Sequence, residues 1–324
     1  MPLAERDASR LLVLDRRSGA LVHRSFADLP GLVAAGDVVI VNNSRVIPAR
    51  LMARRSGGGV AEVLLVTRES DGTWRALVRP GSRIRPGGRL ALGEDDGIEV
   101  LATLPGGQRR VRLLGAGGDE AIIARHGQVP LPPYIAREPE AMDRERYQTV
   151  YASAPGSVAA PTAGLHFTPG VLAALEERGA AVARLTLHVG PGTFRPVAAA
   201  DPAHHLLDPE AYALPEATAR LVAEARARGG QAWAVGTTVA RTLEACGERG
   251  GTVRAGTGWT SLFIRPGHRF LVVDHLLTNF HLPKSTLLML VAAFAGRERV
   301  LEAYREAIRE RYRFYSYGDA MLIL

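Results

Sequence analysis

Residues 147–169 read YQTVYASAPGSVAAPTAGLHFTP. No apolar stripe of helical period runs through them, and strand alternation fades after Tyr151. Pro155, Gly156, Pro161 and Gly164 interrupt any regular element. They leave Ser, Thr and Ala in a small-residue loop, which lets backbone approach a ligand closely. Thr168 followed by Pro169 is an N-cap with a first-turn proline, so a helix is expected over 171–178. His166 then stands just before a helix N-terminus, where N–H groups gather and anions are favoured. A proline-rich connector carrying one histidine would have the same composition. Four later stretches of the same kind argue against that plain reading.

The loop separates two patterns. Before it, from about Met52 to Leu114, apolar residues recur with period two: 61–67 and 73–78 around Asp71-Gly72, then 89–92, 98–103 and 109–114. Short strands at even spacing with hairpin turns indicate a small antiparallel barrel. A short helix is expected over 119–126. After the loop, helices (171–178, 216–228, 238–248) alternate with strands (182–188, 231–235), the pattern of an α/β domain. Near the N-terminus, 10–15 and 21–23 are short strands and Asp37–Val41 (DVVIV) is a buried-type strand. The expected fold class is therefore α/β, with residues 1–51 and 146–324 forming a discontinuous catalytic domain and 52–145 an inserted antiparallel β-barrel.

The chain has 324 residues, 47% hydrophobic and 23% charged, enough for two domains with full cores. Its net charge is +7 and its pI about 10.0, which is compatible with a polyanionic partner. The basicity is almost all arginine, Lys284 being the only lysine, so part of it reflects compositional bias. A single cysteine, Cys246, excludes an intramolecular disulfide and a cysteine-rich zinc site. The start, MPLAERDASR, has no apolar signal core, and the longest apolar run, 287–295, is too short to span a bilayer. A cytoplasmic, enzyme-sized protein is expected.

Polar residues collect at the ends of expected strands. Asp37–Val41 delivers Asn42, Asn43, Ser44 and Arg45 at its carboxyl end, where α/β sheets bind ligands. LHVGPGTFRPV (187–197) ends a strand in Gly190-Pro191-Gly192 and presents Thr193 and Arg195. VGTTVAR (235–241) runs through Gly236 into a helix opened by Thr237 and Thr238, an anion-friendly start that plain N-capping also explains. A strand over 270–277 leads to TNFHLPKST (278–286), which carries Thr278, Asn279, His281, Lys284 and Ser285. The chain closes with YSYGDAM (315–321) after an amphipathic helix over 300–312, whose apolar stripe is Val300, Tyr304, Ile308 and Tyr312. In RPGSRIRPGGR, Arg79, Arg83, Arg85 and Arg89 form a candidate phosphate-contacting edge, or a solvated arginine loop.

Several familiar sites are absent. There is no GxGxxG, no pair of Walker glycines before Lys284-Ser285, and no GxSxG elbow. His204 and His205 are adjacent, and neighbours on regular structure point apart, so no metal site is expected. Lys284 would be the only Schiff-base lysine for pyridoxal phosphate. What remains is a site rich in small polar groups with three histidines, His166, His188 and His281. It suits a polar cationic or nucleoside-like substrate and proton transfer by general acid–base catalysis.

The strings NNSRVIPARL, YQTVYASAPGSVAAPTAGLHFTP, LHVGPGTFRPV, AVGTTVARTLE, TNFHLPKSTLLMLVAAFAG and YRFYSYGDAM resemble the S-adenosylmethionine:tRNA ribosyltransferase-isomerases of queuosine synthesis, in order and over nearly the whole chain. The resemblance implies a similar layout, an α/β domain interrupted by a β-barrel. It implies transfer of the ribosyl portion of S-adenosylmethionine to 7-aminomethyl-7-deazaguanine at the tRNA wobble position, with isomerisation to epoxyqueuosine and loss of adenine and methionine. S-adenosylmethionine would be a substrate, with no metal or other cofactor, and the protein a monomer. On this reading His166, His188 and His281 are the candidate bases, and Asp319 or Asp274 receives the substrate amine or holds a histidine tautomer. Thr237, Thr238 and Arg241 hold the methionine carboxylate or ribose. Asn42, Asn43 and Arg45 face the modified base or the RNA backbone. Thr162, Gly164, Thr193, Arg195, Thr278, Asn279, Lys284 and Ser285 complete the substrate-binding set, with Arg83 and Arg85 contacting RNA.

Two departures accompany the resemblance. The family carries an extra segment before the RDASRLLVLD-like stretch, where six residues precede Asp7 here; an edge strand is missing, or the start differs. The family also has a histidine three residues beyond the one matching His205, where this chain has Asp208 and Pro209, leaving Glu210 as the acid of that region. Two other classes compete with the enzyme reading: a non-catalytic RNA-binding protein gripping RNA through the barrel, and a small-molecule enzyme holding a phosphorylated substrate at helix N-termini. Polar loops at several strand ends favour an enzyme, because RNA grip alone needs basic residues and aromatic platforms.

Overall fold

Alternation along the expected strands places a core on each face of one sheet. The computed structural model describes residues 2–132, 134–135, 137–194 and 207–324, except for the side chains of Thr193 and Phe194. The chain divides into two compact units, residues 1–45, 148–154 and 160–324 in one and residues 46–147 and 155–159 in the other. The fold class is the expected one, α/β with a closed antiparallel barrel.

The first unit holds a nine-stranded sheet in the order Gly256–Thr260, Glu210–Leu214, Ala181–Leu187, Val38–Asn42, Ala232–Val235, His275–Asn279, Ala320–Ile323, Arg10–Leu14, Leu21–Ser25. Its centre, from Ala181–Leu187 to His275–Asn279, is parallel. Val38–Asn42 lies between the two strands that follow it, so the chain reverses its direction of winding there. In open α/β sheets that point marks the ligand crevice, outside the carboxyl ends of the strands. The flanking strand Ala320–Ile323 runs antiparallel to His275–Asn279 and parallel to Arg10–Leu14, with Asn279 opposite Ala320 and Ala320 opposite Leu11. The amino ends of those two strands therefore share an edge with the carboxyl ends of the parallel block.

Both faces are covered, as a mostly parallel sheet requires. Leu12, Leu14, Val38, Ile40, Ala183, Leu185, Ala234, Leu276 and Met321 point to one side, packed with Val222, Val239, Leu243, Leu290, Val291 and Val300. These come from the helices Glu216–Ala227, Thr237–Ala245, Thr286–Ala295 and Arg297–Arg309. Leu11, Val13, Val39, Val41, Trp233, Val235, Leu277 and Leu322 point to the other, against Phe26, Leu29, Phe167, Val171 and Leu175. That second layer contains the helix Pro169–Glu177, begun by Thr168 as expected: its Oγ1 accepts the Val171 N–H at 3.2 Å.

The second unit is a barrel. Arg50–Arg55, Val60–Arg68, Trp74–Arg79, Arg109–Leu114, Asp96–Thr103 and Arg89–Leu92 follow one another around it, and pairing of the first with the last closes it. Ile122 and Ile123 of the helix Gly118–His126 join its core. Asp96 holds that helix, accepting from Arg125 at 2.9 Å and lying 2.7 Å from His126 Nε2.

Two sequence expectations are corrected. The strand expected over 270–277 begins only at His275, because the buried Glu244 carboxylate accepts the N–H groups of Leu271, Val272 and Val273 at 2.8–3.0 Å. Those residues thus have an acceptor other than a neighbouring strand. In the last long helix the buried positions are Val300, Ala303 and Ala307, while Ile308 is 65% exposed. Spacing alone does not distinguish the stripe through 303 and 307 from one through 304 and 308, and the alanines face the sheet.

Candidate active site

His166 ends the short 3-10 turn Thr162–His166, in which the chain passes close over Tyr151. A Cβ on Gly164 would fall 2.0 Å from Tyr151 Oη and 2.8 Å from Thr149 Cγ2, so only glycine fits. Arg6 Nη1 donates to the Leu165 carbonyl at 3.1 Å. The imidazole of His166 is buried and stacks on Phe26 at 5.1 Å. Its Nδ1 lies 2.7 Å from Ser9 Oγ and its Nε2 3.1 Å from Asn279 Nδ2. Ser9 precedes Arg10–Leu14 and Asn279 ends His275–Asn279, so the ring bridges two strands at the edge described above.

Desolvation pushes the His166 imidazole down to about 4. Asp319 works against that shift, and Arg313 and Arg6 add to it. Asp319 is itself buried. Burial alone would raise its carboxyl, but hydrogen bonds from the Arg313 side chain and backbone and from the Arg10 N–H outweigh that and hold it below the ordinary range. A neutral imidazole thus stands near a fixed anion. It is Ser9, not Asp319, that touches its Nδ1.

His281 belongs to another cluster. Its ring lies 2.7 Å from Thr278 Oγ1, and its backbone N–H donates to Tyr304 Oη at 2.7 Å. Burial pulls it down to about 4 as well. Thr278 and Asn279 are consecutive in a strand and point to opposite faces, so His281 and His166 occupy opposite sides of the sheet. His188 follows the end of Ala181–Leu187; burial lowers it, and its Nδ1 is buried without a partner.

On the helix-rich face, the helix Thr237–Ala245 follows Gly236, whose φ is +94°. Thr237 and Thr238 are buried at its start, and no side chain caps it. Asn42 donates to Leu187 O and Thr238 Oγ1 and accepts from the N–H groups of Ser44 and Leu187. Both its donors and both its lone pairs are filled within the fold, so it braces the sheet. Asn43 bonds Ser153 and Thr186 and keeps one donor and one acceptor; Arg45 is exposed. Arg241 is buried against Glu210, 2.5 Å away, and donates to Leu262 O, while its Nη2 has no partner. Glu210 also accepts the Gly190 N–H, so its carboxylate is a counter-ion inside the fold.

Other expected residues are placed differently from the reading of the sequence. Asp274 lies at the amino end of its strand, roughly 16 Å from the carboxyl end at 3.3 Å per residue. It is bound there by Arg226 at 2.6 Å and the Ala232 N–H at 2.8 Å, so it can neither orient His166 nor receive a group at the opposite edge. Ser285 caps the helix Thr286–Ala295. Lys284 is exposed, with φ +58°. Thr162 is half-buried at the start of the 3-10 turn. The side chain of Thr193, and Arg195, His204 and His205 entirely, lie outside the described residues. In the barrel, Arg79, Arg83, Arg85 and Arg89 are exposed. Arg109 is buried beneath them and donates to the carbonyls of Gly81, Ile84, Gly107 and Gln108.

Sequence reasoning did not single out Ser9, Arg6, Phe26, Tyr151 or Arg313, and it read Tyr304 only as part of an apolar stripe. Tyr151 stands inside the opening stretch, but nothing local marks its hydroxyl. Ser9 and Arg6 have no signal short of the strand pairing that brings them to His166. Among the described residues, buried polar atoms without partners include Ser44 Oγ, Thr149 Oγ1, Tyr151 Oη, His188 Nδ1, Arg241 Nη2 and Asn279 Oδ1, with others in the barrel and at the amino end of His275–Asn279. Buried polar groups are ordinarily satisfied, so those beside His166 are candidates for meeting a ligand.

The comparisons with known proteins identify the family of the chain. The model of the family described as queuosine biosynthesis protein matches residues 1–323. An S-adenosylmethionine:tRNA ribosyltransferase-isomerase of Moorella thermoacetica is 54% identical over 326 residues, covering 100% of this chain and 95% of its own. One from Symbiobacterium thermophilum is 52% identical over 329 residues with the same coverage. The crystal structure of S-adenosylmethionine tRNA ribosyltransferase from Thermotoga maritima is similar with a TM-score of 0.55 and 39% identity, over 100% of this chain and 95% of that one. No helix among the described residues is long and apolar enough to cross a membrane. The chain belongs to the queuosine biosynthesis family and is an enzyme of its S-adenosylmethionine:tRNA ribosyltransferase-isomerase group.

Proposed function

We propose that this enzyme transfers the ribosyl moiety of S-adenosylmethionine to 7-aminomethyl-7-deazaguanine at the tRNA wobble position. The ribose is rearranged to the epoxycyclopentanediol of epoxyqueuosine, and adenine and methionine are released. The observation that carries the chemistry is His166: a neutral imidazole held between Ser9 and Asn279 at the ligand-binding edge of the sheet, near the ionised Asp319. The sulfonium acidifies the adjacent ribose carbon, and His166 takes that proton. Asp319 stabilises the imidazolium that forms, since an opposite charge favours the protonated ring. S-adenosylmethionine is consumed as a substrate, and the reaction uses no further cofactor.

The first-turn N–H groups at Thr237 and Thr238 and the open Nη2 of Arg241 suit the methionine carboxylate. Thr162, Gly164, Asn279 and the spare donor and acceptor of Asn43 complete the polar lining, whereas Thr278 is turned to the other face and taken up by His281. In the barrel, the exposed Arg79, Arg83, Arg85 and Arg89, on a loop braced by Arg109, suit the phosphates of the RNA. The enzyme works as a monomer in the cytoplasm.

The test is one incubation with S-adenosylmethionine and tRNA bearing 7-aminomethyl-7-deazaguanine. Adenine release together with a heavier nucleoside after digestion is expected. Adenine without the mass gain would mean hydrolysis and would overturn the tRNA assignment. Neither signal, with tRNA still bound, would return the barrel-binder reading.

A further inference from the structure

The groups around His166 favour one nitrogen as the carrier of its proton. The Arg6 carbonyl, 3.2 Å from Ser9 Oγ, can only accept the one hydroxyl hydrogen, whereas His166 Nδ1 can donate or accept across its 2.7 Å contact with the same oxygen. With the Ser9 hydrogen on the Arg6 carbonyl, Ser9 accepts from His166 and Nδ1 carries the proton, the assignment on which the inference is built. Nε2 is then a bare lone pair, and Asn279 Nδ2 donates to it at 3.1 Å. The same amide group reaches the Tyr315 carbonyl at 3.4 Å, while Asn279 Oδ1 is buried without any partner. Asn279 is only 2% exposed.

Adding a proton at Nε2 reverses these roles. The imidazolium is a donor at both nitrogens, and an amide N–H facing it becomes a donor against a donor. Rotation of the Asn279 amide by half a turn puts the unpartnered Oδ1 where the new Nε2–H needs an acceptor. The oxygen left over in one state is the partner required in the other.

We propose that Asn279 is a positioning residue whose amide turns over as His166 takes up a proton, Nδ2 holding the bare Nε2 at rest and Oδ1 accepting the Nε2–H afterwards. It makes Nε2 the reactive nitrogen and Ser9 the fixed support of Nδ1. It also gives the buried imidazolium a neutral acceptor of its own, beyond the field of the charged groups around it. Those groups are Asp319, which favours protonation, and Arg313 and Arg6, which oppose it. This inference rests on the reading of His166 as the base, and the test separates the two.

The measurement is nitrogen-15 NMR of histidine and asparagine side chains in the full-length protein. At neutral pH the Nδ1–H tautomer of His166 is expected; an Nε2–H tautomer would overturn the proposal. On acidification the Asn279 amide resonances are expected to move with the His166 titration, and an amide unmoved through that titration would overturn it too. Asn279→Asp presents a permanent acceptor to Nε2, so the His166 midpoint is expected to rise by about one unit or more, roughly tenfold in proton affinity. An unchanged midpoint in that variant counts against the proposal. If the midpoint rises and the pH profile of kcat/KM follows it, both readings stand. If the midpoint rises and the profile stays, Asn279 positions His166 as described but His166 is not the base.

Discussion

Thr278 and Asn279 are neighbours in one strand and hold different histidines on opposite faces of the same sheet. Thr278 Oγ1 is 2.7 Å from His281 Nε2, and Asn279 Nδ2 is 3.1 Å from His166 Nε2. Two histidines that look equivalent in the sequence are thereby separated by the thickness of a sheet. Only His166 lies near the ionised Asp319. A single base reaching one ribose carbon is therefore expected on the His166 side.

His166→Gln is expected to lower the single-turnover rate by about a hundredfold or more, the usual weight of a general base, with S-adenosylmethionine affinity nearly unchanged. His281→Gln, which removes only the partner of Thr278, is expected to cost much less. Rates and affinities of both variants check this, and the reverse order would move the base to the other face.

Both histidines make the fold sensitive to acid. Each has a folded pKa of about 4 against an ordinary 6.5, because burial disfavours the charged ring. The unfolded chain therefore binds more protons between those values, and stability falls as pH drops from 6.5 toward 4. At about 1.4 kcal/mol per unit for each group, the two together account for a loss on the order of 7 kcal/mol over the whole window. Urea unfolding at pH 7, 6 and 5 should show the decline, and His166→Gln should flatten it.

Gly164→Ala puts a methyl group 2.0 Å from Tyr151 Oη and should destabilise the fold by about 1–3 kcal/mol, the range for overpacking. Removing the hydroxyl as well, in Gly164→Ala with Tyr151→Phe, should recover part of that loss. Thermal unfolding of the two single variants and the double variant measures the coupling; strict additivity would mean that the two groups do not meet.

Arg241→Met leaves Glu210 charged and buried, which should cost about 3–5 kcal/mol. Arg241→Met with Glu210→Gln should cost clearly less, since the carboxylate charge that Arg241 balances is removed with it. Chemical denaturation of the pair separates this structural role from any loss of substrate binding.

Arg83→Gln and Arg85→Gln should each weaken tRNA binding and reduce the slope of log affinity against log salt by about one, as expected for a lost phosphate contact. S-adenosylmethionine binding should be unaffected. An unchanged salt slope would leave these arginines as a solvated loop.

The layout was largely legible in local sequence. Period two over 52–114 and the alternation of helices and strands after 169 depend on which residues face a core, and that periodicity is written locally. The helix start at Thr168-Pro169 and the glycine at 164 are likewise short-range requirements of backbone geometry. The strand expected at 270 failed because a distant carboxylate, Glu244, accepts the N–H groups of 271–273. Ile308 is exposed although the spacing places it in an apolar stripe, because spacing does not say which of two adjacent stripes meets the sheet.

By itself the sequence determined the fold class, the histidines, and the junctions where polar residues gather. Only the tertiary structure decided which of them meet. Ser9 and Asn279, 270 positions apart, share His166 because parallel and antiparallel pairing bring their strand ends to one edge. Asp274 is carried to the opposite end of its strand and held by Arg226. Strand parity and register are properties of the assembled sheet, set by the packing of both faces at once, and no local stretch of chain contains them.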